Sequence, residues 1–154
     1  MDDKASATEI QTEEPLDFGI LPELIGYNLR RAQVNIFADF ARTMAGVQIT
    51  PGQFGVLSLI GANPGLTQSA LARAVGIERS TMVAVIDSLQ ARGLVERRPS
   101  PVDRRSNALI LTDAGRALLD KLIPLVRGHE RRLAAKLSAD DKDRLIALLI
   151  KLID

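Results

Sequence analysis

At Gly93 the spacing of apolar residues in this chain changes from one in every three or four to roughly one in two. Helices repeat about every 3.6 residues and strands every two, so the chain is expected to be helical before Gly93 and to turn to strand after it. Ahead of the change, Thr50 followed by Pro51 reads as a helix start: a hydroxyl cap, then a proline whose missing N–H costs nothing in the first turn. That helix should run to about Ile60. Asn63, Pro64 and Gly65 break the chain, Thr67 caps a short helix through Leu71 and Ala74, and Gly76 supplies a tight turn. The next helix spans Glu78 to Arg92. Met82, Val85, Ile86 and Leu89 form its inward stripe, and Arg79, Ser80, Thr81, Val83, Ala84 and Asp87 are left outside. Leu94 and Val95 then lead into Arg97 and Arg98, Pro99 and Pro101 interrupt, and Asn107 to Leu111 returns as a strand, giving a hairpin with a long polar tip.

Longer helices flank this centre. From Leu21 to Met44, Leu24, Ile25, Leu29, Val34, Phe37, Ala38, Phe40 and Ala41 recur at helical spacing, with Gly46 as the stop. Thr112 with Asp113 opens a helix through Leu118, Leu119, Leu122, Leu125 and Val126 as far as Leu137, with a kink at Pro124. Ser138 with Asp141 is a capping box using Asp in place of Glu, and it opens the last helix. Every residue from Leu145 to Ile153 except Lys151 is apolar, so one packed side cannot hide this helix. A second helix of the same chain or a second subunit must cover it, and a dimer is favoured.

Composition removes most catalytic chemistry. There is no Cys and one His, His129, which excludes thiol catalysis and Cys-based zinc sites and leaves no His-rich metal centre. No Gly-x-Ser-x-Gly and no Gly-rich phosphate loop is present, so no enzyme, no cofactor and no metal is expected. No apolar run reaches the ~18 residues of a membrane span, and the Met1-Asp2-Asp3-Lys4 start is unlike a signal peptide. The expectation is a soluble, cytoplasmic protein. Residues 1–17 are polar and acidic, carrying Asp2, Asp3, Glu9, Glu13, Glu14 and Asp17 against Lys4, and read as a flexible arm. Since the whole chain is only +1, the remainder is basic. Arg92, Arg97, Arg98, Arg104 and Arg105 crowd around the hairpin with only Glu96 and Asp103 opposing them, an electrostatic footprint for a polyanion. Helix, turn, helix and Arg-bearing hairpin is the plan of a winged helix-turn-helix in a mainly α chain. A helix fits the DNA major groove and an Arg on a hairpin reaches the minor groove beside it. The helix starts at Thr50 and Thr67 offer N–H groups to phosphates.

The ordered set Thr67-Gln68-Ser69-Ala70-Leu71-Ala72, Gly76-Ile77-Glu78-Arg79-Ser80-Thr81, Leu89-Gln90-Ala91-Arg92-Gly93-Leu94-Val95-Glu96-Arg97, Asp103-Arg104-Arg105-Ser106 and Leu111-Thr112-Asp113-Ala114-Gly115 resembles the MarR family of bacterial transcription regulators. The resemblance implies one domain over 18–154, with dimerisation helices at 18–46 and 113–154 and a DNA-binding lobe at 50–111. It also implies a homodimer on a palindromic operator with half-sites about 34 to 36 Å apart. Arg79, Ser80, Thr81 and Ala84 would then face bases, with Thr50, Thr67 and Gln68 near the backbone and Arg97 and Arg98 on phosphates. Asp103 would hold Arg105 in a planar pair, while Arg104 or Arg105 enters the minor groove. Family members bind a small organic effector. The run Gly26-Tyr27-Asn28-Leu29-Arg30-Arg31-Ala32-Gln33, with Phe37-Ala38-Asp39-Phe40, is similar to members sensing hydroxycinnamate or benzoate intermediates or their coenzyme A thioesters. Arg30, Arg31 and Arg42 would meet phosphates or a carboxylate, with Tyr27, Asn28, Phe37 and Phe54 around the acyl group. The expected function is a repressor released by such a ligand, against a ligand-free architectural DNA-binding protein or a helical adaptor for proteins. Other roles compete at single residues: Arg30 and Arg31 pairing with Asp39 or the arm, Tyr27 and the Phe side chains as core, and His129 on a helix surface or dimer seam.

Overall fold

The computed structural model describes residues 16–101 and 106–153. In chain order they form a 3-10 turn (Leu21–Glu23), α1 (Ile25–Thr43), α2 (Pro51–Ala62), β1 (Leu66–Thr67), α3 (Gln68–Val75), α4 (Arg79–Ala91), β2 (Val95–Pro99), β3 (Asn107–Leu111), α5 (Asp113–Leu133), a second 3-10 turn (Ala134–Lys136) and α6 (Ala139–Lys151). Contacts divide the chain into Met1–Gln33 and Val34–Asp154, a boundary that falls inside α1.

The helix starts follow local chemistry. Thr50 and Gln53 form a reciprocal capping box, with Gln53 N donating to Thr50 Oγ1 at 3.2 Å and Thr50 N to Gln53 Oε1 at 3.1 Å. Thr67 caps α3, Thr112 caps α5, and Ser138 with Asp141 boxes α6; each uses a short side-chain oxygen to satisfy an N–H that has no carbonyl partner. Two expectations change. The first helix is preceded by a separate 3-10 turn containing Pro22, and the Asn28 side chain donates to Pro22 O at 2.8 Å and Leu24 O at 2.9 Å across the junction. The fifth helix passes through Pro124 and stops at Leu133, short of Leu137. Pro124 and Asp120 both lie on its exposed side, where solvent can reach the carbonyl that a proline leaves without its N–H partner.

The three strands form an antiparallel sheet in the order β1-β3-β2, with Val95 opposite Leu111 and Pro99 opposite Asn107. Strand β1, two residues long, pairs Leu66 with Leu109 and Thr67 with Ala108; a segment this short has no alternation to read in sequence. Within Val34–Asp154 the core gathers Met44, Leu57 and Ile60 with Leu71 of α3, Met82, Ile86 and Leu89 of α4, Leu109 of β3 and Leu122 of α5. At the entry to α5 the backbones meet closely. Thr112 N donates to Leu94 O at 3.1 Å and Thr112 Oγ1 to Gly93 O at 2.6 Å, while a Cβ on Gly115 would stand 1.9 Å from Leu94 O. Gly93 itself has φ +68°, the left-handed conformation that lets α4 turn into β2. α6 has no buried residue, and Leu145, Ile146, Leu148, Ile150 and Leu152 are all exposed.

Candidate nucleic-acid interface

Helices α3 and α4 are joined by Gly76, whose φ of +72° closes α3 with a left-handed cap. Its N–H donates to Ala72 O at 3.0 Å. The turn leaves Glu78 at the N-cap of α4 without a side-chain hydrogen bond to the helix. Met82, Ile86 and Leu89 are buried and Val85 half-buried, whereas Arg79, Ser80, Thr81, Val83, Ala84 and Asp87 are exposed. One side of α4 is therefore committed to the core. The other presents short polar and small side chains at the helix N-terminus, the end that major-groove helices aim at base edges. A shallow cavity of about 370 Å³ follows the turn, lined by Ser69, Ala72, Arg73, Gly76, Ile77, Glu78 and Arg79.

The arginines around the hairpin separate into different roles. Arg92 lies at the end of α4 and donates to Gln48 O and Val47 O, both at 2.9 Å. It thereby ties down the α1–α2 connection, where Gln48 adopts φ +52°. Arg97, in the middle of β2, donates to Gln68 Oε1 at 3.3 Å and Gln90 Oε1 at 2.7 Å, and pairs with Asp87 at 2.7 Å. Arg98 pairs with Glu96 on its own strand and is the more exposed of the two, its side chain at 60% against 21% for Arg97. Asp103, Arg104 and Arg105 lie outside the described residues. Of the remaining DNA candidates, Thr50 and Thr67 are engaged as helix caps and Gln68 as an acceptor for Arg97. Sequence reading missed the parts that Gln90 and Asp87 play in this cluster. Their spacing of three on one helix face was visible; their strand partner was not.

The candidate effector residues fall in both units. Within Met1–Gln33, Arg31 lies over the Tyr27 ring at 5.6 Å and Phe18 stands 6.3 Å from it, while Asn28 is used by the helix junction. Within Val34–Asp154, Phe37 is exposed and Phe54 packs 6.3 Å from Phe40. Arg42 is held by Asp39 at 3.1 Å. Asp39 also receives Arg132 at 2.8 Å and His129 Nδ1 at 2.7 Å. His129 is buried, 2% exposed, with its ring edge-on to Phe40 at 5.4 Å. This corrects the expectation of a histidine on a helix surface or dimer seam: α5 turns that face onto α1 within the same chain, and the ring supplies a donor to a carboxylate that needs one. His129 and Arg132, followed by Arg42, hold the Asp39 carboxyl well below the usual carboxylate range. A second, open groove of about 340 Å³ runs between the end of α1 and the start of α2, lined by Ala41, Met44, Ala45, Gln48, Ile49, Thr50 and Pro51. None of the effector candidates lines it. Among the described residues no group of acidic or His side chains has metal-binding geometry, and no helix is long and apolar enough to cross a membrane.

Helix, glycine turn, half-exposed helix and antiparallel hairpin define a winged helix-turn-helix module. Residues 47–106 match the model of the MarR family. The chain is 40% identical over 129 residues to a protein of Thauera aromatica described as a transcriptional regulator for the hcr operon, covering 83% of this chain and 78% of that one. It is similar to the transcriptional repressor CouR bound to a 23-mer DNA duplex, with 46% identity, 92% of this chain and 100% of that chain covered, and a TM-score of 0.87. It is similar also to CouR bound to p-coumaroyl-CoA, with 44% identity, coverage of 90% and 98%, and a TM-score of 0.84. The chain belongs to the MarR family of winged helix regulators.

Proposed function

We propose that this chain is a homodimeric transcriptional repressor that reads a palindromic operator through α4 and the β2–β3 wing. An aromatic acid or its coenzyme A thioester releases it. The observation that carries this reading is the division of α4 into a buried stripe and an outward face of Arg79, Ser80, Thr81 and Ala84 beside the wing. Base edges in the major groove need short donors and acceptors on a helix that cannot roll, and the buried stripe prevents rolling. Arg98, Arg104 and Arg105 supply positive charge from the hairpin segment. The uncovered apolar face of α6 supports pairing of two copies, and a palindromic operator would match such a pair. The likeness to CouR, in its DNA-bound and p-coumaroyl-CoA-bound forms, supports both halves of the reading. Tyr27, Asn28, Arg30, Arg31, Phe37, Arg42 and Phe54 are the effector candidates by side-chain chemistry: the phosphates of a thioester suit the arginines and its aryl group suits the rings.

The test is a mobility-shift titration at fixed salt with duplexes from around the protein's own coding region, repeated with free p-coumarate and with p-coumaroyl-CoA. A shifted duplex released by one of these compounds is the expected result. Binding that neither compound reverses would count against this effector reading and for a constitutive DNA-binding protein, and no binding to any duplex would overturn the DNA reading itself.

A further inference from the structure

We infer that Arg97 is a positioning residue that sets the wing against the recognition helix and so governs which sequence is read, without itself touching DNA. The inference rests on the DNA-binding reading above. Arg97 sits opposite Leu109 in the sheet, so its backbone is fixed by the ladder. Its side chain reaches off the strand to two helices. Nε donates to Gln68 at the start of α3, Nη1 to Gln90 of α4, and Nη2 pairs with Asp87 one turn earlier on α4. All three nitrogens of one guanidinium are committed, each in a different direction. The guanidinium is planar and rigid, so two hydrogen bonds and an ion pair from one group orient α3 and α4 relative to β2 in a way that a flexible point charge cannot.

Charge supports the same assignment. Asp87 is 58% exposed on the outward side of α4, where a bare carboxylate would repel the phosphate backbone. Arg97 neutralises it. A phosphate could recruit Arg97 only by breaking that 2.7 Å ion pair and restoring the repulsion. Arg98, paired within its own strand and largely exposed, has no such tie to the helices. A reading head made of a helix and a wing keeps its selectivity only while the two are held to within about half an ångström, and Arg97 adds polar contacts between them to the apolar packing of Val95 and Leu109 against Met82, Ile86 and Leu89.

The experiment compares Arg97→Lys, Arg97→Gln and Gln90→Ala with the native chain. The probes are the duplex the native protein selects from a library with a randomised centre and a scrambled duplex of equal length, with thermal melting of each variant alongside. Positioning predicts that all three variants lose selectivity, the selected-to-scrambled affinity ratio falling by about tenfold. Lysine should behave like glutamine, and Gln90→Ala should lose selectivity although every positive charge remains. A phosphate contact predicts the reverse: an unchanged ratio, a salt slope flattened by about one unit in Arg97→Gln, near-native binding by Arg97→Lys and no effect in Gln90→Ala. That pattern would overturn the inference. If Arg97→Gln fails to melt cooperatively, Gln90→Ala decides alone. Failure of the native chain to select any duplex counts against DNA binding instead.

Discussion

A methyl group added at Gly115 would stand 1.9 Å from Leu94 O and 2.9 Å from Leu94 C, and a backbone carbonyl cannot swing aside as a side-chain tip can. Gly115→Ala should lower stability by about 3 kcal/mol, read as a lower urea midpoint with an unchanged slope. A shift of a few tenths would mean the α5 entry is softer than its geometry. Asp39 makes a pH-dependent contribution whose sign follows from its partners. His129 and Arg132 depress its folded pKa, so the unfolded chain binds the extra proton and the stabilisation is present above the ordinary carboxylate value of about 4. It is lost as pH falls below that value. Asp39→Asn should therefore be less stable than the native chain at neutral pH, with the gap in urea midpoint narrowing as pH drops from about 5 to 2; a gap constant with pH would refute the assignment. These residues also mark what sequence reading reaches. Thr50, Thr67, Thr112 and Ser138 were legible as caps because the accepting cap oxygen and the backbone N–H that donates to it lie three residues apart. Asp39 and His129 are separated by 90 positions, and Gly115 looks like any glycine early in a helix, so no local pattern announces either.

Helix α4 was legible because burial imposes its period, with Met82, Ile86 and Leu89 in the stripe the spacing placed there; the strand Asn107–Leu111 also stands where it was expected, although its burial does not alternate, Ala108 and Leu109 both being buried. The arginines were not legible in the same way. Composition shows a basic cluster, but only geometry separates Arg92 on two carbonyls and Arg97 on two helices from Arg98 at the surface. Ser80→Ala and Thr81→Ala on α4 should each weaken binding to the selected duplex by about 1 to 3 kcal/mol if they meet base edges, with little change on scrambled DNA. Equal loss on both duplexes would move these residues to the phosphate backbone. Thr112→Ala removes both the cap of α5 and the bond to Gly93 O, and should destabilise by about 1 to 2 kcal/mol in thermal melting. A loss near zero would show that water replaces the hydroxyl.

At the level of the molecule, the apolar run Leu145 to Ile153 was the clearest statement in the sequence. The structure keeps it: α6 buries nothing, and Leu148 and Ile150 are both 51% exposed. Ending the chain after Leu137 should convert dimers to monomers in sedimentation and lower operator affinity far more than non-specific affinity, because one half-site alone remains. A truncated chain that still sediments as a dimer would place the interface elsewhere.

Three ties converge on the single corner Gly93–Leu94: a backbone bond from Thr112, a hydroxyl bond from the same residue, and the seat of Gly115. That corner is where α4 ends and β2 begins. A displacement at the entry to α5 would therefore bear on α4 and β2 together. If α4 and the wing read DNA as proposed, a signal arriving through α5 at this corner would move both rather than one.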